Sequence, residues 1–560
     1  MNLFARRLLI AFPLLVLGPA AFAQSVVPNN QLNADQLATR FLAQATFGPS
    51  PDALTELRGL NHDFNLWITR EAAKPVSSAV AVLEAARTAG QITTSDTGTN
   101  RRARNQVMIA GPDQLRQRMA YALSQIMVIS DGDTNVANGG DGSSSYYDML
   151  ARNALGNFRT LLMDVTRHPM MGRYLSHYKN RKANDAAGTR PDENYAREVM
   201  QLFSIGLYQL TPNGSYINDA TGRPLETYRD VEITSFARVF TGFTDASTNN
   251  LGSGTGRLDF PSATFNPTTP MRMWDPQHDM EAKSLLQYPG AKKPNLPANQ
   301  TGLQDVQDAI DNLVEHPSTA PFICRQLIQK LVTSNPSEGY VGRVSAVFVN
   351  NGLGVRGDLL AVARAILLDA EARNVAFITD PEHGKLREPF LRATHLLRSF
   401  RYSVVDGTLP YNFGNTIAIG TLGHYPLSAP SVFNFFSPEF EPPGPIKNAD
   451  LVGPEFQILN AVFAITLPNS VNTLIQTGAG NFRLNLTEQE TLAATPPALI
   501  DNLNLLLTHG TMSSPTRTAI LNAVQGVTQA MVPAGSTLNQ TRARLAIYLV
   551  ALSPDFAILK

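Results

Sequence analysis

This sequence predicts an all-α, predominantly helical fold: one large domain with long irregular loop insertions. Three observations carry that expectation. Apolar residues return at helical spacing along most of the chain, strand-like alternation is scarce, and long irregular runs at 130–145, 244–301 and 402–450 punctuate the pattern. The 560 residues, 43% hydrophobic and 16% charged, suffice for a large buried core.

In chain order the helical spacing marks 38–45, 79–88, 114–129, 146–167, 192–205, 227–241, 304–315, 320–333, 341–349, 358–368, 387–400, 454–466, 498–507, 515–530 and 540–552. The run 192–205 has Pro191 at its first turn and Gly206 where a left-handed cap would end it. The run 227–241 opens on Thr227 as a cap, carries Asp230 in its first turn and stops at Gly242. Between them and the next helix, 244–301 is expected to form a small hairpin or a long flap, and loops of such length are usually functional, disordered or both. Residues 24–560 are read as one domain without internal repeats.

Lys+Arg and Asp+Glu both number 46, which leaves no net field to recruit nucleic acid or an anionic membrane. Arg6-Arg7, the apolar residues 8–18 and Ala21-Phe22-Ala23 make 1–23 a signal peptide cleaved before Gln24. Ordinary secretion to the periplasm or cell exterior is expected, with twin-arginine export as the alternative. No stretch reaches the ~18 uninterrupted apolar residues of a membrane span. Cys324 is the single cysteine, so no internal disulfide can form, and its apolar neighbours predict a buried structural thiol.

The standard catalytic signatures are missing: no Gly-x-Ser-x-Gly, no His-Glu-x-x-His, no phosphate loop and no paired-cysteine metal site. What remains is a set of polar helix faces. On 192–205, Glu193, Asn194, Arg197, Glu198, Gln201 and Ser204 share an arc of about 140° at ~100° per residue, opposite an apolar arc from Tyr195 to Phe203. That face is either a solvated one laced by weak ion pairs, or a cleft wall where an arginine orients one carboxylate while a less solvated one serves as acid, base or cation ligand. On 227–241, Asp230, Thr234 and Arg238 share a face. His278-Asp279 followed by Lys283 can ligate a metal or orient an imidazole.

Two further clusters are weaker. The loop from Asp131 to Gly142 offers calcium-type oxygens at Asp131, Asp133 and Asn135, but Val136 and Gly142 stand where an EF-hand needs glycine and glutamate. An Asp/Gly turn cluster is the plainer reading. Lys385, Arg387, Arg392, His395, Arg398 and Arg401 can hold an anionic polymer or, more simply, pair with acids on a helix surface.

Taken in order, several segments become specific: Ala38-Thr-Arg-Phe-Leu-Ala-Gln-Ala-Thr-Phe-Gly48, Arg118-Met-Ala-Tyr-Ala-Leu-Ser-Gln125, His168-Pro-Met-Met-Gly172, Glu193-Asn-Tyr-Ala-Arg-Glu198, Phe236-Ala-Arg-Val-Phe-Thr-Gly242, His278-Asp279 with Lys283, His316-Pro317 and Ser553-Pro-Asp-Phe556. Over nearly all of its mature length the chain resembles the bacterial domain-of-unknown-function 1800 family. The resemblance implies an exported, largely helical protein and supplies no reaction. It also implies that Glu193, Asn194, Arg197, Glu198, Asp230, Arg238, His278, Asp279 and Lys283 belong to one pattern. Phe243 stands where the family usually has tryptophan.

Three functions follow as expectations. One is a hydrolase or lyase on an envelope or extracellular polymer, with Glu193 and Glu198 as acid and base, Arg197 and Asn194 orienting them, and Asp230, His278, Asp279 and Lys283 completing the site. Another is a non-catalytic cell-surface assembly or binding protein, with Phe433-Asn-Phe-Phe436 packing or docking a partner. The third is a protein holding a divalent metal on His278, Asp279 and carboxylates.

Overall fold

Side-chain caps open many of the helices. The computed structural model describes residues 32–246, 259–261, 264–412 and 422–560; the expected signal peptide and parts of the 244–301 and 402–450 stretches lie outside the described residues. Helix α1 (Ala34–Ala45) begins at Asn33, whose side chain and that of Gln36 satisfy each other's backbone N–H groups. Helix α2 (Thr97–Ala110), capped by Asp96, escapes the periodicity reading because Arg104 and Asn105 occupy buried positions that the pattern reserves for apolar residues.

Helix α3 (Gln114–Ser124) is buried at every position but Arg116 and stops short of residue 129. The expected single helix over 146–167 is two, α4 (Gly142–Asn153) and α5 (Phe158–Arg167). The break falls at Gly156-Asn157. Asn157 caps α5 by accepting from the Arg159 N–H (2.9 Å), and the Gly156 carbonyl accepts from Leu359 N–H (2.8 Å), so neither residue can continue a helix.

Helix α6 (Asn194–Gln201) is shorter than the expected 192–205. Gly206, at φ +74°, takes the left-handed conformation and its N–H reaches the Met200 carbonyl. Helix α7 (Asp230–Val239) starts later than Thr227, because Glu232 accepts from the Arg229 N–H (2.8 Å) and fixes the start there; the Thr227 hydroxyl instead donates to the Gly206 carbonyl. Helices α8 (Gly302–Glu315) and α9 (Thr319–Leu331) flank His316-Pro317, α10 (Pro389–Ser399) follows Glu388, and α11 (Ala461–Thr477) lies beyond a short 3₁₀ turn at Pro454–Ile458.

Helices dominate the described residues, and their strands form four two-stranded antiparallel pairs. Two pairs belong to the 244–301 stretch, Phe243–Thr244 with Arg272–Met273 and Lys283–Ser284 with Asn295–Leu296. The others join distant segments, Lys385–Leu386 with Ile558–Leu559 and Arg401–Val404 with Phe482–Asn485. Buried apolar side chains from Ala38 to Phe556 form one continuous cluster, and Cys324 is fully buried within it. No helix among the described residues is long and apolar enough to cross a membrane.

Candidate ligand cavity and buried charge cluster

The residues singled out from the sequence fall into three separate environments. Glu193 is half-exposed; it accepts from the Thr234 hydroxyl of α7 (2.9 Å) and lies 3.7 Å from Arg197. Asn194 and Asp230 are exposed. Glu198, one turn along α6, is buried, and its Oε2 has no hydrogen-bond partner among the described residues. Burial raises its carboxyl above the usual range, against the pull of Arg197. Ser204, also on the polar arc, is buried and donates to the Val199 carbonyl. The arc is therefore not one solvated face.

His278, Asp279 and Lys283 build a third environment with Arg238 and Asp305. Arg238 grips Asp279 with two hydrogen bonds (2.8 and 2.9 Å). Burial alone would raise the Asp279 carboxyl, but Arg238 and the Glu281 N–H outweigh it and hold it below the usual range. Asp305 is the hub: its Oδ2 meets Nε2 of His278 at 3.0 Å and Nζ of Lys283 at 2.7 Å, and its Oδ1 accepts from Gln300 (2.8 Å). His278 Nδ1 meets the Thr241 carbonyl at 2.9 Å. The network staples the 244–301 stretch to α7 and α8, which occupies the ligating atoms that a metal reading needs. Among the described residues no group of three or more His, Cys, Asp or Glu is arranged to hold a metal ion. Asp131 is likewise occupied, by Arg101 (2.6 Å) and Arg104 (2.7 Å), so its loop is an ion-pair anchor rather than a calcium loop.

A cavity of about 300 Å³ lies elsewhere, at the far end of α6, and none of the eight proposed catalytic residues lines it. One face of α9 forms a wall: Phe322, Arg325, Gln326, Gln329 and Lys330 recur at i, i+3, i+4, i+7 and i+8. The opposite face of the same helix, Ile323, Cys324, Leu327 and Ile328, enters the core. Residues 432–439, with Phe433 and Phe436, face α9 across the cavity, and Gln201, Leu202, Tyr208 and Tyr216 close a third side. Tyr208 and Tyr216 pack edge to face at 5.6 Å. Arg325 pairs with Glu439 at 3.7 Å. The sequence holds a signal for this wall, since 322–330 carries the same i, i+3/i+4 polar spacing that marks α6, yet its neighbours read as a plain apolar run.

Lys330 is 2% exposed, and its Nζ sits 4.1 Å from the centre of the Phe436 ring. No carboxylate of the described residues lies within ion-pair distance of it. Burial, opposed by the more distant Glu455 and Glu388 carboxyls and assisted by the Lys385 and Arg118 cations, lowers its ammonium to about 8. Behind it, Arg118 (2.6 Å) and Lys385 (3.0 Å) both donate to the Lys330 carbonyl. Lys385 is 2.9 Å from Glu455 and 3.5 Å from Glu388, so two buried carboxyls share one lysine. Burial raises both; Lys385 and Arg118 overcome it at Glu388, which stays below the usual range, whereas Glu455 remains above it.

The arginines of 387–401 correct the surface reading. Arg387 and Arg392 are buried and Arg398 is half-buried. Arg398 donates to the carbonyls of Gly48 (2.9 Å) and Ile109 (2.5 Å), and Arg392 to that of Ala551 (3.3 Å). Arg401 alone behaves as expected, pairing with Asp52 at 3.0 Å on the surface. A periodic run of arginine states that the side chains share a helix, and distant acceptors decide the rest: the Gly48, Ile109 and Ala551 carbonyls and the His395 and His509 imidazoles.

Residues 40–558 match the family model described as "Protein of unknown function (DUF1800)". No curated protein and no solved structure matches the chain.

Proposed function

Because this chain belongs to the DUF1800 family, whose description states no activity, its own cavity has to carry the functional reading, and we propose that it is an exported binding protein for an amphiphilic ligand. The ligand has an apolar or aromatic body and an anionic group, such as a segment of an envelope or extracellular polymer. The observation that carries this reading is Lys330, a buried ammonium without a carboxylate partner, on the wall of an aromatic-lined cavity of the size of ordinary ligand sites. Phe433, Phe436 and Tyr208 supply stacking area, while Gln201, Gln326 and Gln329 supply directional hydrogen bonds. Export is supported by Arg6-Arg7, the apolar residues after them and Ala21-Phe22-Ala23. It predicts a mature chain beginning at Gln24, and N-terminal sequencing of secreted protein that finds Met1 instead removes this part of the reading.

The cavity is tested with an anionic aromatic probe, anilinonaphthalene sulfonate, titrated into full-length protein. One saturable site is expected, weakened about tenfold or more by Lys330→Met or Phe436→Ala and unchanged by Glu193→Gln. Binding indifferent to both cavity substitutions would overturn the proposal. A second reading, acid chemistry at α6, is favoured by the unpartnered buried oxygen of Glu198. It predicts that Glu198→Gln abolishes turnover of a polymer substrate while leaving probe binding intact.

A further inference from the structure

A second, much smaller cavity lies between the end of α1, α3 and α10, and its wall is cationic. Arg118, Lys385, Arg387 and His395 line it together with Thr46 and Gly48, and no carboxylate does. The centre of a water-sized sphere has about 10 Å³ of room in it, enough for a single small species. The polar atoms left without partners at this wall are donors: Nε and Nη1 of Arg118 and Nε of Arg387. Thr46 is committed, donating to the Leu42 and Gly48 carbonyls and accepting from the Gly48 N–H.

Arg387 is the sharpest anomaly. It is 4% exposed, and its two Nη atoms donate to Nδ1 of His395 (2.7 Å) and Nε2 of His509 (2.9 Å). Both imidazoles act as acceptors there, so neither brings negative charge, and no carboxylate of the described residues pairs with this guanidinium. Around the cavity Arg118, Lys330, Lys385, Arg387 and Arg392 are all buried, against the two carboxyls of Glu388 and Glu455. Burying unpaired charge is costly, and a guanidinium does not escape by losing its proton. A water molecule answers this poorly, since it brings no charge to offset the two guanidinium groups. We propose that this cavity is a binding site for a monatomic anion of the halide class, chloride under ordinary conditions, held by Arg118 and Arg387. Phosphate and sulfate are too large for the space.

The site is tested on the full chain in two ways. At fixed ionic strength, replacing bulky gluconate by chloride is expected to raise Tm by about 1 °C or more for each tenfold increase in chloride, by mass action on the folded state. Arg387→Met is expected to remove that dependence. Crystals of the unaltered protein soaked in bromide are expected to give an anomalous peak between Arg118 and Arg387. Absence of that peak at saturating bromide overturns the proposal, whether or not the variant folds, and so does an identical Tm in chloride and gluconate.

Discussion

Acidification from pH 6.5 towards 4 is expected to unfold this protein steeply. Eight of its nine histidines are buried, and seven of the eight (His168, His177, His316, His383, His395, His424 and His509) are moved out of their ordinary range. Burial lowers each of them: His168 to about 3, His177, His316, His383 and His424 to about 4, and His395 and His509 far below the ordinary value near 6.5. Inside this window the unfolded chain takes up protons that the native imidazoles refuse. Stability therefore rises with pH there, is fully present above about 6.5, and is lost as pH falls towards the folded values. Each histidine contributes roughly 1.4 kcal/mol per pH unit within its window, set against a typical total stability of about 5–15 kcal/mol.

Carboxyls modify this only in part. Glu198 and Glu455, raised by burial, take protons in the native state and act in the opposite sense. Asp279 and Glu388 are held low, so their contribution persists until the pH falls below about 4. Scanning calorimetry from pH 7 to 4.5 checks the balance: Tm should fall continuously below pH 6.5. A Tm constant between pH 7 and 5 would contradict the histidine account.

Asp305→Ala should cost about 3–5 kcal/mol, the second large effect. The substitution removes the one carboxylate that meets both His278 and Lys283, and it leaves Lys283, 3% exposed, with Asp279 Oδ1 at 3.8 Å as its remaining anionic neighbour. The 244–301 stretch would lose its buried ionic contact with α8 while keeping the Leu286–Asn312 and Lys293–Asp308 bonds to that helix and the Arg238–Asp279 pair with α7. Glu193→Ala serves as the contrast. Its partners are half-exposed, so a change within about 0.5 kcal/mol is expected. Urea denaturation of both variants reads the difference, and an Asp305→Ala protein as stable as the Glu193→Ala one would show that the buried network does not hold the fold.

The two variants also mark where the sequence reading runs out. Glu193, Arg197 and Glu198 share one arc on a wheel, yet the first two meet solvent and the third does not, with Tyr174 and Tyr228 as neighbours of its buried carboxyl. His278, Asp279 and Lys283 invite a metal reading by residue type alone. Asp305, a first-turn residue of α8 that the sequence gives no reason to select, changes them into a structural staple. Lys330 was hidden for the opposite reason: its neighbours Leu327, Ile328 and Leu331 are core residues, and that apolar company masks a polar stripe facing the cavity.

The helical class, most helix positions, the family pattern and the glycine ends at Gly206 and Gly242 are legible from residue order, since these depend on local spacing and backbone freedom. Tertiary structure alone decided which polar side chains were removed from water, and so which are struts and which are available to a ligand. A helical period reports which side chains share a face; what covers that face comes from residues up to several hundred positions away, as the Gly48 carbonyl on Arg398 and the Leu506 carbonyl on His395 illustrate.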